Sequence, residues 1–155
     1  MRVMAVLAAA MWITACSGQA STFALTSADV DATYSCPAGA NNAAYDLHAS
    51  VQAHNATSTT VTIKSVTADM TLNATKGSWL EKIGDKYDAG AAKFTPVTVS
   101  PGATTTLKVI ASSACTNVKA TSGESYGDYR VTIHVATSAG SYSISSKNLH
   151  RIVAA

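Results

Sequence analysis

Apolar and polar residues alternate along most of this 155-residue chain. In residues 45–54, Tyr45, Leu47, Ala49, Val51 and Ala53 fall on one side and Asp46, His48, Ser50, Gln52 and His54 on the other. A period of two belongs to a strand with one buried face. The turn NATST follows, and Val61 and Ile63 resume the alternation. Then Val66, Ala68, Met70 and Leu72 continue it on the opposite parity. A slip of one residue would turn a whole apolar set to solvent, so it predicts a bulge or a break into a new strand. VTVSPGATTTLKVIA reads as strand, Pro101-Gly102 turn, and a strand carrying Leu107 and Val109. Tyr129, Val131, Ile133 and Val135 share a face, Ser138-Ala139-Gly140 turn the chain, and Tyr142 and Ile144 return, which predicts a hairpin. LHRIV predicts a last strand. Residues 78–94, SWLEKIGDKYDAGAAKF, contain Gly84 and Gly90 and lack clear apolar spacing, so they read as a loop holding up to one helical turn.

About seven short strands, each with one polar and one apolar face, predict an all-β antiparallel sandwich. Within it, SYGDYRV resembles the D-x-G-x-Y-x-C motif on strand F of immunoglobulin-like domains. Gly127 and Tyr129 match, Ser125 stands where the acid usually is, and Val131 replaces the cysteine. The resemblance is nearer to bacterial immunoglobulin-like surface modules than to antibody domains. It implies that Tyr129 is a tyrosine corner whose hydroxyl returns to nearby backbone. With Val131 in place of the strand-F cysteine the family's usual inter-sheet disulfide cannot form, so a Cys36–Cys115 bond would be a different staple.

The amino terminus follows a different rule. Arg2 precedes an almost uninterrupted apolar run from Val3 to Ile13, closed by Thr14-Ala15-Cys16. These are the parts of a secretory signal peptide. The run is too short for a transmembrane helix, which needs about 20 apolar residues to cross a core of ~30 Å. Ile13-Thr14-Ala15-Cys16 resembles the lipobox of bacterial lipoproteins, which implies lipidation of Cys16 and cleavage before it. Cleavage after Ala20, which would discard Cys16, is the alternative. The organisation expected is a signal peptide at 1–15, a short tether at 16–22 and one sandwich domain at 23–155.

With Cys16 assigned to the lipid or removed, Cys36 and Cys115 form an even pair in an exported, oxidising setting, which predicts a structural disulfide. A metal or thiol site is the competing reading, but neither cysteine lies in a CxxC or beside a histidine. Charged residues are only 13% of the chain and the formal net charge is +2, so no basic face for nucleic acid is expected.

The candidate chemistry is thin. His48 and His54 lie six residues apart on one strand face, about 20 Å at ~3.3 Å per residue, too far to share a metal. His134 belongs to the expected strand F, in the opposite sheet to His48, and His150 lies near the end; solvated strand histidines are expected, with no metal and no cofactor. No GxSxG or SxxK marks a nucleophile. Asp29 and Asp31, and Asp85 and Asp88, read as turn acids, with a weak calcium contact as their one metal reading. Trp79, Leu80, Ile83, Tyr87 and Phe94 gather in the irregular stretch, either as a flap over the sandwich or as a recognition loop with Trp79 and Tyr87 as anchors. The expected role is therefore non-enzymatic: a binding or structural module of the bacterial cell envelope, held to a membrane through a lipid on Cys16. An envelope protein or glycan is the expected partner. The alternative is a periplasmic small-ligand or metal carrier.

Overall fold

The computed structural model describes residues 22–117 and 124–154. The leader, with Cys16, lies outside the described residues. Ten strands make up most of the remainder: β1 (Phe23–Val30), β2 (Thr33–Cys36), β3 (Ala43–Asn55), β4 (Val61–Lys76), β5 (Lys86–Thr95), β6 (Thr98–Val99), β7 (Thr104–Cys115), β8 (Ser125–Thr137), β9 (Gly140–Ser145) and β10 (His150–Ala154).

Hydrogen bonds link them in the order β1-β3-β7-β5-β4-β8-β10-β2, with β6 on β4 and β9 on β8. Every pairing is antiparallel except β2 with β10. The ladder turns back on itself at β5, so β1-β3-β7-β5 faces β5-β4-β8-β10-β2. These are the A-B-E-D and C-F-G orders of an immunoglobulin-like sandwich. Leu47, Val51, Leu107 and Val109 of the first layer meet Val66, Met70, Leu72, Val131 and Ile133 of the second in one core. Each such side chain contributes roughly 1.5–3 kcal/mol when fully buried.

The strand count exceeds seven mainly because both lateral strands are interrupted. β1 pairs with β3 in one layer; after Asp31-Ala32 the chain crosses and β2 pairs with β10 in the other. β9 and β10 run beside opposite ends of β8. Between them Arg130 donates to the carbonyls of Ser146 (2.7 Å) and Lys147 (3.0 Å). The Asn148 side chain there bonds both backbone groups of Val30, at 3.0 and 2.7 Å.

The parity slip after Ile63 is a bulge inside β4: the register against β8 shifts between Ile63 and Ser65. Both apolar sets therefore stay buried. Cys36 and Cys115 are disulfide-bonded, with Cα atoms 6.0 Å apart, and join β2 of one layer to β7 of the other. Closing a loop of this size contributes on the order of 4–5 kcal/mol in the chain-entropy picture.

The stretch 78–94 is corrected. Only residues 77–85 form a connection, and Lys86–Thr95 is strand β5. Its alternation changes phase at Gly90: Tyr87 and Ala89 are half-buried before it, Ala92 and Phe94 after it. That break hides the strand from a simple period-two reading.

Candidate functional site

The site arises from the path of β5. Residues 86–91 pair with β4, and residues 92–95 pair with β7. The transfer occurs at Gly90, whose φ of 73° is easily reached only without a side chain. The Asp88 carboxylate accepts the Gly90 N–H at 2.6 Å and fixes the turn, while the register against β4 shifts between Ala68 and Asp69. Beyond Ala111, therefore, no strand among the described residues pairs with the outer edge of β7. Its other edge remains bonded to β3 as far as Cys115.

The gap between the diverging strands is an open cleft of about 710 Å³, within the range of ligand sites. Lys86, Tyr87, Asp88 and Ala89 line one wall, and Ser112, Ser113, Ala114 and Thr116 the other. Leu80, Glu81 and Asp85 from the preceding connection stand at its mouth. Three carboxylates thus face one ammonium, and that ammonium is engaged: Lys86 Nζ lies 3.1 Å from the Asp69 carboxylate. The same Asp69 oxygen holds His134 Nε2 at 2.6 Å. The other oxygen, Oδ1, is buried with no hydrogen-bond partner.

Under the cleft lies a polar aromatic cluster. Tyr129 is fully buried and meets Tyr87 edge-on, with ring centroids 5.8 Å apart. Its hydroxyl accepts the Trp79 indole N–H at 2.9 Å and donates to Glu81 at 3.3 Å. The expected tyrosine-corner bond to nearby backbone is therefore replaced by two side chains of the 77–85 connection. Gly127 makes this arrangement fit, because a Cβ there would come within 2.6 Å of the indole. Across the interface Tyr34 stacks on Tyr45 at 4.0 Å, and the Tyr45 hydroxyl bonds His150 Nε2 at 3.0 Å. His150 Nδ1 lies 2.7 Å from the Asp31 carbonyl oxygen. A carbonyl can only accept, so the network assigns the proton to Nδ1 and leaves Nε2 to accept from Tyr45. Burial pushes the Tyr45, Tyr87 and Tyr129 hydroxyls up and pulls the His150 imidazole below its ordinary value.

Trp79 and Tyr87 are consequently part of the packed cluster rather than free anchors. The exposed apolar residues of the connection are Leu80 (60%) and Ile83 (66%). His48 and His134 lie in opposite layers, as expected, and pair with Asp31 and Asp69. His54 bonds Thr104 at 3.0 Å. His150 departs from the expected solvated histidine: it is 1% exposed, opposite Tyr129 in register and inward-facing. Among the described residues no three histidines, cysteines or carboxylates come together as a metal site. Asp29 and Asp88 stand on strands rather than turns.

Glu81, Ser113 and the bare edge of β7 carry no motif and were invisible in the sequence. The reversal of parity at Gly90 was the one signal that could have pointed to them.

No protein-family model matches the chain, and no curated protein matches it in sequence. Among solved structures, the chain is similar to PapD-like domain 7 (an ASH/PapD-like domain) of human CEP192. The identity is 8% over 97% of this chain and 96% of that one, with a TM-score of 0.31. It is also similar to AggA, the major subunit of aggregative adherence fimbriae type I from Escherichia coli, at 11% identity over 86% and 95% of the two chains (TM-score 0.36). The CooA pilin subunit of enterotoxigenic Escherichia coli gives 14% identity over 84% and 98% (TM-score 0.29). At TM-scores of this size the likenesses carry no argument about partner, assembly or activity.

Proposed function

We propose that this chain is an exported module of the bacterial cell envelope, held to a membrane by a lipid on Cys16, with a binding or structural role and no catalysis. The observation that carries the reading is the Cys36–Cys115 disulfide between the two layers. Such a staple persists where thiols are oxidised, outside the cytosol. The leader supplies the route, and its Cys16 supplies the nucleophilic sulfur for a diacylglyceryl group.

The binding role draws its support from the cleft, where the change of neighbour at Gly90 leaves two strand edges apart. Expression in a bacterium with labelled palmitate tests the anchor: the protein is expected in the detergent phase, carrying label, and Cys16→Ser should lose both label and processing. Normal processing of that variant would favour cleavage after Ala20 and remove the anchor from the reading.

A further inference from the structure

We infer that the cleft between β5 and β7 takes an extended, cationic peptide segment as an added strand. The inference rests on the binding reading above, but on none of the lipid chemistry.

The first support is the unfilled backbone. Alternate residues of an antiparallel strand direct both N–H and C=O to the same edge. Along residues 112–115, about 14 Å at ~3.4 Å per residue, one such edge of β7 bonds β3 and the other opens into the cleft. Opposite it, residues 86–89 of β5 spend one edge on β4 and turn the other to the same space. Two unpaired edges facing one gap are a template for a strand, and main-chain pairing with an edge is an established mode of peptide recognition.

The second support is the contrast with the edges of β1, β2 and β6, which are guarded. β1 bonds Lys147 N–H through the Ala28 carbonyl, and the Asn148 side chain caps its end. β2 has four residues and stops at Pro37. β6 has only two. The β7 edge has none of these devices. Its exposed Ser112, half-buried Ala114 and the facing Ala89 are small, which leaves the backbone accessible. No proline interrupts it, and Lys86, the one cation lining the cleft, is drawn away to Asp69.

Charge selects the occupant. Glu81, Asp85 and Asp88 outnumber that one engaged cation, so an acidic or phosphorylated segment would be repelled. A lysine or arginine on the incoming strand would reach the mouth carboxylates while its backbone pairs with β7. Exposed Leu80 adds an apolar contact at the rim.

The probe is an array of acetylated, amidated heptapeptides with a central lysine and randomised flanks, beside a matched array with a central glutamate. Both are screened against the full exported protein. Lysine peptides are expected to bind and glutamate peptides are not. The strongest binder, titrated into isotope-labelled protein, should shift the backbone amides of residues 112–116 and 86–89. Alternate N-methylation of that peptide should weaken binding at least tenfold, because it removes the pairing N–H groups and keeps the side chains. Glu81→Gln with Asp85→Asn should weaken it several-fold. Ser112→Lys, at an exposed wall position, should abolish it with the thermal midpoint unchanged, which covers the case in which the double variant folds poorly.

No binder in the lysine array, equal binding by the N-methylated peptide, or shifts confined to another surface would each overturn the inference. Binding to the glutamate array alone would overturn it too. Palmitate labelling is independent of all of these, so failure here is distinguishable from failure of the anchor.

Discussion

β4 and β5 each carry one reversal of apolar parity, with opposite structural results. In β4 the slip between Ile63 and Ser65 is absorbed locally, because β8 runs alongside on both sides of it, from Thr137 to Tyr126. The strand bulges, keeps its neighbour and returns Val66, Ala68, Met70 and Leu72 to the core. In β5 the slip falls at Gly90, among small residues, and the neighbour changes from β4 to β7. A parity slip thus marks a place where a strand must give way, by a local bulge or by a change of neighbour. In β4 a bulge keeps the neighbour; β5 leaves β4, although β4 runs on from Thr67 to Val61, crosses to β7 and leaves an edge open.

The open end of β7 must then be held by something other than β5, and Cys115 is the candidate. It ties that end to β2. Replacing Cys36 and Cys115 together by alanine is the largest break available. On the order of 4–5 kcal/mol should be lost. At roughly 4 °C per kcal/mol for a domain of this size, the thermal midpoint should fall by about 15 °C or more. Hydrogen exchange should show β7 losing protection first beyond Ala111. Uniform loss along β7 would mean that β3 alone holds the strand.

The second break is Trp79→Ala. The indole packs over Gly127 and donates to Tyr129, so its loss should leave a void and a buried hydroxyl that keeps only its longer bond to Glu81, costing about 3 kcal/mol. Thermal or urea unfolding would measure it. A change below about 0.5 kcal/mol would show that the ring is a surface group.

A smaller effect separates the two slips directly. Gly90→Ala meets no neighbouring atom, so its cost should be only that of the left-handed backbone, about 1–2 kcal/mol. Lys64→Ala, at the exposed bulge of β4, should stay within about 0.5 kcal/mol. Equal costs in urea unfolding would remove the distinction drawn between bulge and crossover.

These contrasts show what could be read in advance. Strands β3, β8 and β9 were legible because each keeps one phase and exposes its polar side to solvent. The bulge after Ile63 was legible because long apolar series flank it on both sides. The disulfide followed from the parity of the cysteines once the leader was read as an export signal. β5 was not legible, since Gly90 breaks its phase after two apolar positions and alanines supply most of the rest. Tyr87 looked like a loop residue for the same reason. His150 was unreadable because its burial depends on Tyr45, a residue 105 positions away.

That histidine gives the smallest and most local test. His150 braces Tyr45, and Tyr45 stands directly opposite Ser113 on β7. The brace therefore lies behind the open edge, where β5 no longer helps. Burial favours the neutral imidazole, so the folded pKa lies below 6.5 while the unfolded chain takes up its proton near that value. The unfolded state then binds more protons as pH falls, and stability must fall with it. The contribution is fully present above about pH 6.5 and is lost progressively as pH drops through that value towards the lower folded one. Protection at residues 112–115, corrected for intrinsic exchange rates, should therefore decrease between pH 7.5 and 5, more than protection at Leu107 or Val109. His150→Gln removes the titrating group, so this local difference between the two pH values should disappear. If the variant keeps the same difference, β7 owes nothing at its open end to the titration of His150.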